Sequence, residues 1–574
     1  MTIKKTSIFF LVAISIIFIS SLATHSSLKN KAFESFDVDI PSDNCTVIMV
    51  GKDASVDGSV IATHTADCGI CDWTWRYVPA ADHKPGEMRK IYHISQMRTW
   101  PPKEGLKWDM IKKDFTGLEI PQPPHTYGYV HGVFGYMNDQ QLAMGESTIG
   151  NQRKIGNTTS TPKMDITMLT LLAMERCKTA REAIQLMGSL AEKNGYGFVD
   201  GGEMLAVADA KEVWIFEIMP VGPLWTPESG KPGAVWCAER IPDDQVSVCP
   251  NESRIGEIDV NNSDLFLASS NAISCAVENG LYDPASGKPF SWKRAYSPSQ
   301  GSAATSGGRA RLWRFFDIVA PSQKFTAETP NMDLPFSVKP DKKISVQDVM
   351  TMTRDKCRGT PLDPVRGIRG GPYANPNYYA GTRTIGTRGA EYTTVTQCRS
   401  WLPAPIGGIV WLAWGSQDTS CYMPFYAGDT AVPKSFNIGD HWELNRGSAR
   451  WAFDYTDFHA QVAYSETLED IKKAQLEWEA GAVTRVPEID QKAQELYAKS
   501  PAKAVEFLTN YCLDNANKVV AAWWELGDKL LVKYNHFGFY DPEKRSRARG
   551  KAAPQIWQKA VRMVDVYTEA EERR

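Results

Sequence analysis

The first apolar run in this chain is followed by a polar stretch, and only then do strand and helix periodicities begin. Lys4 and Lys5 precede apolar residues from Ile8 to Ile19, with the small residues Ser20, Ser21 and Ala23 behind them. A basic start, an apolar stretch and small residues in that order predict a secretory signal over 1–23. An uncleaved anchor would need about 20 apolar residues to span a bilayer comfortably. No second run of that length follows, so the expected destination is outside the cytoplasm: periplasmic, extracellular or lumenal. Residues 24–44 are polar, irregular and end in Pro-Ser-Asp-Asn, which predicts a pro-segment or linker.

Order is expected from Cys45 onward. Thr46 to Val50 and Ser59 to Thr65 read as strands on either side of the turn signal Asp57-Gly58, an antiparallel hairpin. Pairing Val50 with Ser59 would set Cys45 opposite residue 64, which brings His64 and Asp67 near it. Apolar spacing at Leu169, Leu172 and Ala173, and again at Ala183, Ile184 and Met187, predicts two helices. Asp165 is the expected N-cap of the first, Thr179 to Glu182 a capping box for the second, and Asn194-Gly195 the stop. "EMLAVADAKEVWIFEIMP" then reads as two strands around Asp209 to Lys211, and "GGIVWLAWGS" as a further apolar strand. Asn510 to Gly538 has the pattern of one long amphipathic helix. The middle of the chain, Ser297 to Arg311 and Arg358 to Gly389, is loop-rich. Strands, a helical pair and strands again predict layered α and β, with a core over 45–440 and a mainly helical region over 441–574.

Charge narrows the partners. With 64 basic against 67 acidic residues in 574, there is no electrostatic case for nucleic acid or an anionic membrane surface, and small partners are favoured. Eleven cysteines are many for a reducing compartment, and the odd count leaves at least one outside any disulfide. Cys68 and Cys71 lack a second CxxC to complete a zinc site, so a local disulfide or buried thiols are expected there. Phosphate-loop, dinucleotide, HExxH and Gly-x-Ser-x-Gly signatures are absent, so no organic cofactor and no metal is expected.

Nine histidines in the whole chain make a Cys-His dyad a weak prospect and direct attention to another base. If cleavage before Cys45 frees its α-amino group, one residue carries both the thiol and a base with a reference pKa near 8. The competing reading of Cys45 is a buried or disulfide-bonded cysteine at a strand start.

"CTVIMVGKDASVDGSVIATHTAD" resembles the amino end of the peptidase C69 dipeptidases, the dipeptidase A group of the N-terminal-nucleophile hydrolases, whose relatives include secernins, bile salt hydrolases and penicillin V acylases. The resemblance continues through Gly132 to Gln152, Glu175 to Ile184, Glu391 to Gly428 and the tryptophan-bearing helix near the end, covering roughly Cys45 to Tyr534. It implies an α+β fold with four αββα layers and hydrolysis of dipeptides, with Cys45 as nucleophile. Asp67 then matches the aspartate that holds the nucleophile's amine, and Asn271 the asparagine that donates to the oxyanion. His64 stands where many relatives have arginine, which removes a permanent charge. Arg399 can be read as a substrate-carboxylate ligand or as half of a structural ion pair. The resemblance also leaves open an amidase for N-acyl amino acids or bile-acid conjugates, and a secernin-like binding protein. The expected partner is a small peptide, with no nucleic acid and no stable membrane association after processing; homo-oligomerisation stays open.

Overall fold

A computed structural model describes residues 45–563 except 69–70, 95–112, 133, 157–160, 198–200, 224, 299–300, 305–308, 442, 536–537, 549–554 and 556. The expected signal and pro-segment, 1–44, lie outside the described residues.

The expected hairpin is present as β1 (Val47–Val50) and β2 (Val60–Ala66). Its register differs from the expected one by two residues: Val50 pairs with Ile61 and Met49 with Ala62. The cause is Asp57, whose Oδ1 accepts from Ser59 N at 3.0 Å and Ser59 Oγ at 2.6 Å and so folds Ser59 into the turn. A slip of two keeps every side chain on its face, so residues 64 to 67 still approach Cys45.

Among the described residues, twelve further strands complete two antiparallel sheets. They are β3 (Arg76–Val78), β4 (Tyr129–His131), β5 (Tyr136–Asn138), β6 (Ala143–Thr148), β7 (Glu203–Ala208) and β8 (Val213–Met219). The rest are β9 (Val235–Arg240), β10 (Val246–Cys249), β11 (Phe266–Ala268), β12 (Tyr392–Cys398), β13 (Ile409–Trp414) and β14 (Met423–Tyr426). One sheet runs β10-β1-β2-β12-β13-β14, the other β11-β9-β8-β7-β6-β5-β4-β3. They pack face to face, with β2 lying across β6, β7 and β8.

Helices cover both outer faces. On the eight-stranded sheet lie α1 (Ile166–Arg176) and α2 (Ala180–Asn194). Asp165 Oδ1 caps α1 by accepting from Met168 N at 2.7 Å, and both halves of the Thr179–Glu182 capping box form on α2. On the six-stranded sheet lie α3 (Ala310–Val319), α4 (Val346–Met352), α5 (Ala449–Ala460) and, after α6 (Tyr464–Gln475) and α7 (Gly481–Tyr497), the long α8 (Pro501–Lys533). α8 starts nine residues before Asn510, because Pro501 is pre-set for a first helical turn. The result is the expected α+β sandwich of four αββα layers.

A strand between a helix layer and a second sheet is buried on both sides and loses alternation. β8, VWIFEIM, is buried at all seven positions. Each such Val, Ile or Phe contributes about 1.5–3 kcal/mol of burial. Among the described residues no helix is long and apolar enough to cross a membrane.

Candidate active site

Where the β1–β2 ladder ends, threonine side chains take over. Ile48 N donates to Thr63 Oγ1 and Thr46 N to Thr65 Oγ1, each at 2.8 Å. This pins Cys45, itself 1% exposed, at the mouth of β1 between the two sheets. Thr65 Oγ1 then donates to Asp67 Oδ2 at 3.0 Å, so Asp67 is one hydroxyl away from the backbone of the nucleophile candidate. Arg383 pairs with the same carboxylate oxygen. Asp67 Oδ1 is buried with no hydrogen-bond partner. Burial raises the Asp67 pKa against the pull of Arg383, Arg311 and Thr65. Just beyond, Cys68 and Cys71 are joined in a local disulfide, while the other nine cysteines, Cys45 included, are buried thiols.

Arg311, in the first turn of α3, reaches the other side of Cys45. Its guanidinium donates to Cys45 O at 2.6 Å, Thr46 Oγ1 at 2.7 Å, Pro250 O at 2.9 Å and Asn251 Oδ1 at 2.8 Å. Burial, then the neighbouring Arg383 charge, pulls the Arg311 pKa down to about 9, which keeps it charged at neutral pH. Asn251 has φ +62°, a left-handed conformation that asparagine tolerates. Its Nδ2 donates to Thr148 O at 2.9 Å and its N to Ser147 Oγ at 3.0 Å, which ties the β10 end to β6.

Across the sheet interface, Cys45 Sγ donates to Glu146 Oε2 at 3.4 Å, and Thr148 Oγ1 donates to Glu146 Oε1 at 3.0 Å. Gly145 permits this close approach: a Cβ there would lie 2.4 Å from Thr63 O. His64 Nδ1 lies 3.0 Å from Glu146 O and 3.4 Å from Glu146 N; the shorter contact puts the proton on Nδ1. Its Nε2 is buried without a hydrogen-bond partner, and the ring packs against Phe134 and Tyr392. Burial pulls its pKa down to about 4, so the ring is neutral at pH 7. The permanent positive charge that His64 lacks comes instead from Arg311 and Arg383. Ligand atoms of Cys45, His64 and Glu146 lie within 4.8 Å of one another, a mixed thiolate, imidazole and carboxylate set of the kind that binds zinc. The hydrogen bonds within the group account for its arrangement without an ion.

The fold brings Cys45, His64 and Asp67 together, but not Asn271. Asn271 follows β11 at the edge of the eight-stranded sheet, and its Nδ2 donates to Ala234 O at 3.1 Å. β11 stands four strands from β6, about 19 Å at the usual strand spacing. The asparagine beside Cys45 is Asn251. Arg399 sits in a structural cluster: it pairs with Asp490 and donates to Gly407 O at 2.8 Å and Ile406 O at 2.7 Å. Glu146, Asn251, Arg311 and Arg383 were not singled out from sequence. Glu146 stood in the resemblance block Gly132 to Gln152, and Arg311 and Arg383 in stretches read only as loop-rich.

The profile of peptidase family C69 matches residues 44–477. A probable dipeptidase of Salmonella dublin is 28% identical over 394 residues, covering 67% of this chain and 81% of that protein. A dipeptidase of Bifidobacterium longum is 26% identical over 428 residues, covering 68% and 72%. A probable dipeptidase B of Streptococcus pyogenes serotype M1 is 23% identical over 510 residues, covering 85% and 92%. Among solved structures, penicillin V acylase from Agrobacterium tumefaciens overlaps 67% of this chain and 86% of its own at 11% identity, with a TM-score of 0.27.

Proposed function

The chain belongs to peptidase family C69, a hydrolase family, and from that premise we propose a cysteine dipeptidase whose nucleophile is Cys45, freed at its α-amine by cleavage of the Asn44–Cys45 bond. The observation that carries this reading is the buried Asp67 Oδ1 with no hydrogen-bond partner, one hydroxyl from the Cys45–Thr46 backbone. A buried carboxylate oxygen of this kind is costly unless a donor arrives, and a new α-ammonium group supplies one. The family match beginning at residue 44, one before Cys45, supports the same junction. So do the dipeptidase names of the relatives.

The chemistry then follows from neighbouring atoms. The neutral α-amine of Cys45 takes the thiol proton, and the sulfur attacks the scissile carbonyl of a dipeptide. The amine returns that proton to the leaving amino group, which leaves a thioester that water hydrolyses. Arg311 fixes the Cys45 carbonyl, and Asn251, which shares the Arg311 guanidinium with it and whose Nδ2 donates to Thr148 O at 2.9 Å, is our candidate donor to the oxyanion. The expected leader over 1–23 makes this an exported enzyme in our reading, with 24–44 removed as its pro-segment.

Amino-terminal sequencing of the active protein tests the proposal. The expected first residue is Cys45, and Cys45→Ala is expected to abolish hydrolysis of a dipeptide panel. An active chain that begins elsewhere, or a fully active Cys45→Ala, overturns it.

A further inference from the structure

We propose that Glu146 recognises the free α-ammonium group of the substrate, making it the residue that selects unblocked dipeptides over N-acylated amides. The inference rests on the dipeptidase reading above and names the substrate feature it reads. Glu146 is 1% exposed, and its Oε2 lies 3.4 Å from the Cys45 sulfur. Thr148 holds the other oxygen at 3.0 Å and so fixes which oxygen faces the sulfur.

Substrate geometry supplies the rest. In a near-attack complex the scissile carbonyl carbon lies about 3–3.5 Å from the sulfur. The α-nitrogen of the same residue is only two bonds away, about 2.5 Å from that carbon by standard bond lengths. An oxygen 3.4 Å from the sulfur therefore lies within reach of a charge-assisted hydrogen bond of about 2.8 Å to that nitrogen. Timing favours the exchange too. In the resting chain Oε2 accepts from the Cys45 thiol. When the thiol gives up its proton that donor is lost, and a buried carboxylate oxygen then faces an anionic sulfur. An ammonium group arriving with the substrate replaces the lost donor and screens the two negative charges from each other. A substrate whose amine is acylated brings a bulkier, neutral amide to the same place.

The two carboxylates then serve two different amines. Asp67 lies on the backbone side of Cys45, joined through Thr65, and is reserved for the enzyme's own α-amine. Glu146 lies on the sulfur side, where the substrate enters the reaction.

The test compares Ala-Ala with propionyl-Ala, its isostere lacking the α-amine, on the mature enzyme. Wild type is expected to favour Ala-Ala in kcat/KM by on the order of 100-fold or more, and Glu146→Gln to reduce that ratio to within about tenfold, as loss of a buried charge partner does. Glu146→Asp, which keeps the charge one methylene back, is expected to restore part of the ratio. A ratio unchanged in Glu146→Gln overturns the inference, including the case where both rates fall together, because Glu146 would then act on the sulfur alone. Should Glu146→Gln fail to fold, inhibition of wild type decides: alaninamide is expected to bind at least tenfold more tightly than propionamide, and equal binding overturns the proposal. A wild-type enzyme that cleaves no dipeptide overturns the dipeptidase reading itself. One that cleaves dipeptides while its ratio survives Glu146→Gln overturns only the role of Glu146.

Discussion

His64 makes the acid stability of this protein a measurable consequence of one buried ring. Its folded pKa is about 4, against an ordinary value of 6.5 in the unfolded chain, because burial disfavours the charged form. Between those values the unfolded chain holds the proton and the folded one does not, so unfolding takes up a proton and stability rises with pH. The contribution is fully present above pH 6.5 and is lost as pH falls to about 4. The drop from 6.5 to about 4 corresponds to about 3 kcal/mol. For Asp43 to Arg574, an unfolding entropy of about 2.1 cal/mol/K per residue gives about 1.1 kcal/mol/K, so the loss amounts to about 3 °C in Tm. His64→Gln can still donate to the Glu146 carbonyl but cannot take up the proton. Calorimetry of both proteins in EDTA at pH 7, 6, 5 and 4 is the assay. The advantage of wild type over the variant is expected to shrink by about 3 °C across that range. An advantage that stays constant from pH 7 to 4 would refute the picture of a buried, neutral His64.

Other consequences follow from the same geometry. Asp429 accepts from Tyr426 N at 2.8 Å, and burial pushes its pKa up to about 7, so stability is lost as pH rises from about 4 to 7. Asp429→Asn is expected to gain about 4 kcal/mol on wild type between pH 4 and 8, read as about 4 °C in Tm; a constant difference contradicts this. Added Zn²⁺ is expected to inhibit by bridging Cys45, His64 and Glu146, whose ligand atoms lie within 4.8 Å of one another, and EDTA to restore full activity. Activity lost on prolonged EDTA dialysis would contradict chemistry carried by side chains and the α-amine alone. On the mechanism we propose, Arg383→Gln leaves Asp67 freer to hold the α-ammonium of a processed Cys45, so the acid limb of kcat/KM is expected to move up by about one pH unit. A limb that stays in place, or moves down, argues against that coupling.

The parts of this site legible in sequence are those that local rules determine. A cysteine at a strand mouth and a short hairpin were enough to bring Cys45, His64 and Asp67 together, even with the register two residues off. The capping box at Thr179 and the cap at Asp165 were equally local. What stayed hidden depends on contacts between distant segments. Glu146 lies 101 residues from Cys45 and meets it only because two sheets pack face to face at Gly145. Arg311 lies 266 residues away and depends on where α3 starts. No periodicity encodes either contact. Asn271 and Asn251 both sit in loop sequence, and only the strand order separates the one beside β11 from the one beside β10.

Charge balance explains why a neutral histidine is tolerable beside Cys45, the nucleophile we propose. The enclosed site already holds the guanidinium groups of Arg311 and Arg383, and after burial the Arg383 charge is what lowers the Arg311 pKa. A processed amino terminus at Cys45 would add a further cation to this group, and the base role we propose for it would require it to be neutral part of the time. Nearby guanidinium charge favours the unprotonated amine, whereas Asp67 favours the ammonium form. A permanent charge at position 64 as well would depress the amine further and weaken its return of a proton to the leaving group. It would also stand against the strand that carries Glu146, the carboxylate we assign to the substrate's own amine. With His64 neutral at pH 7, the positive charges set against Asp67 are those of Arg383, which pairs with it, and Arg311, which holds the Cys45 carbonyl.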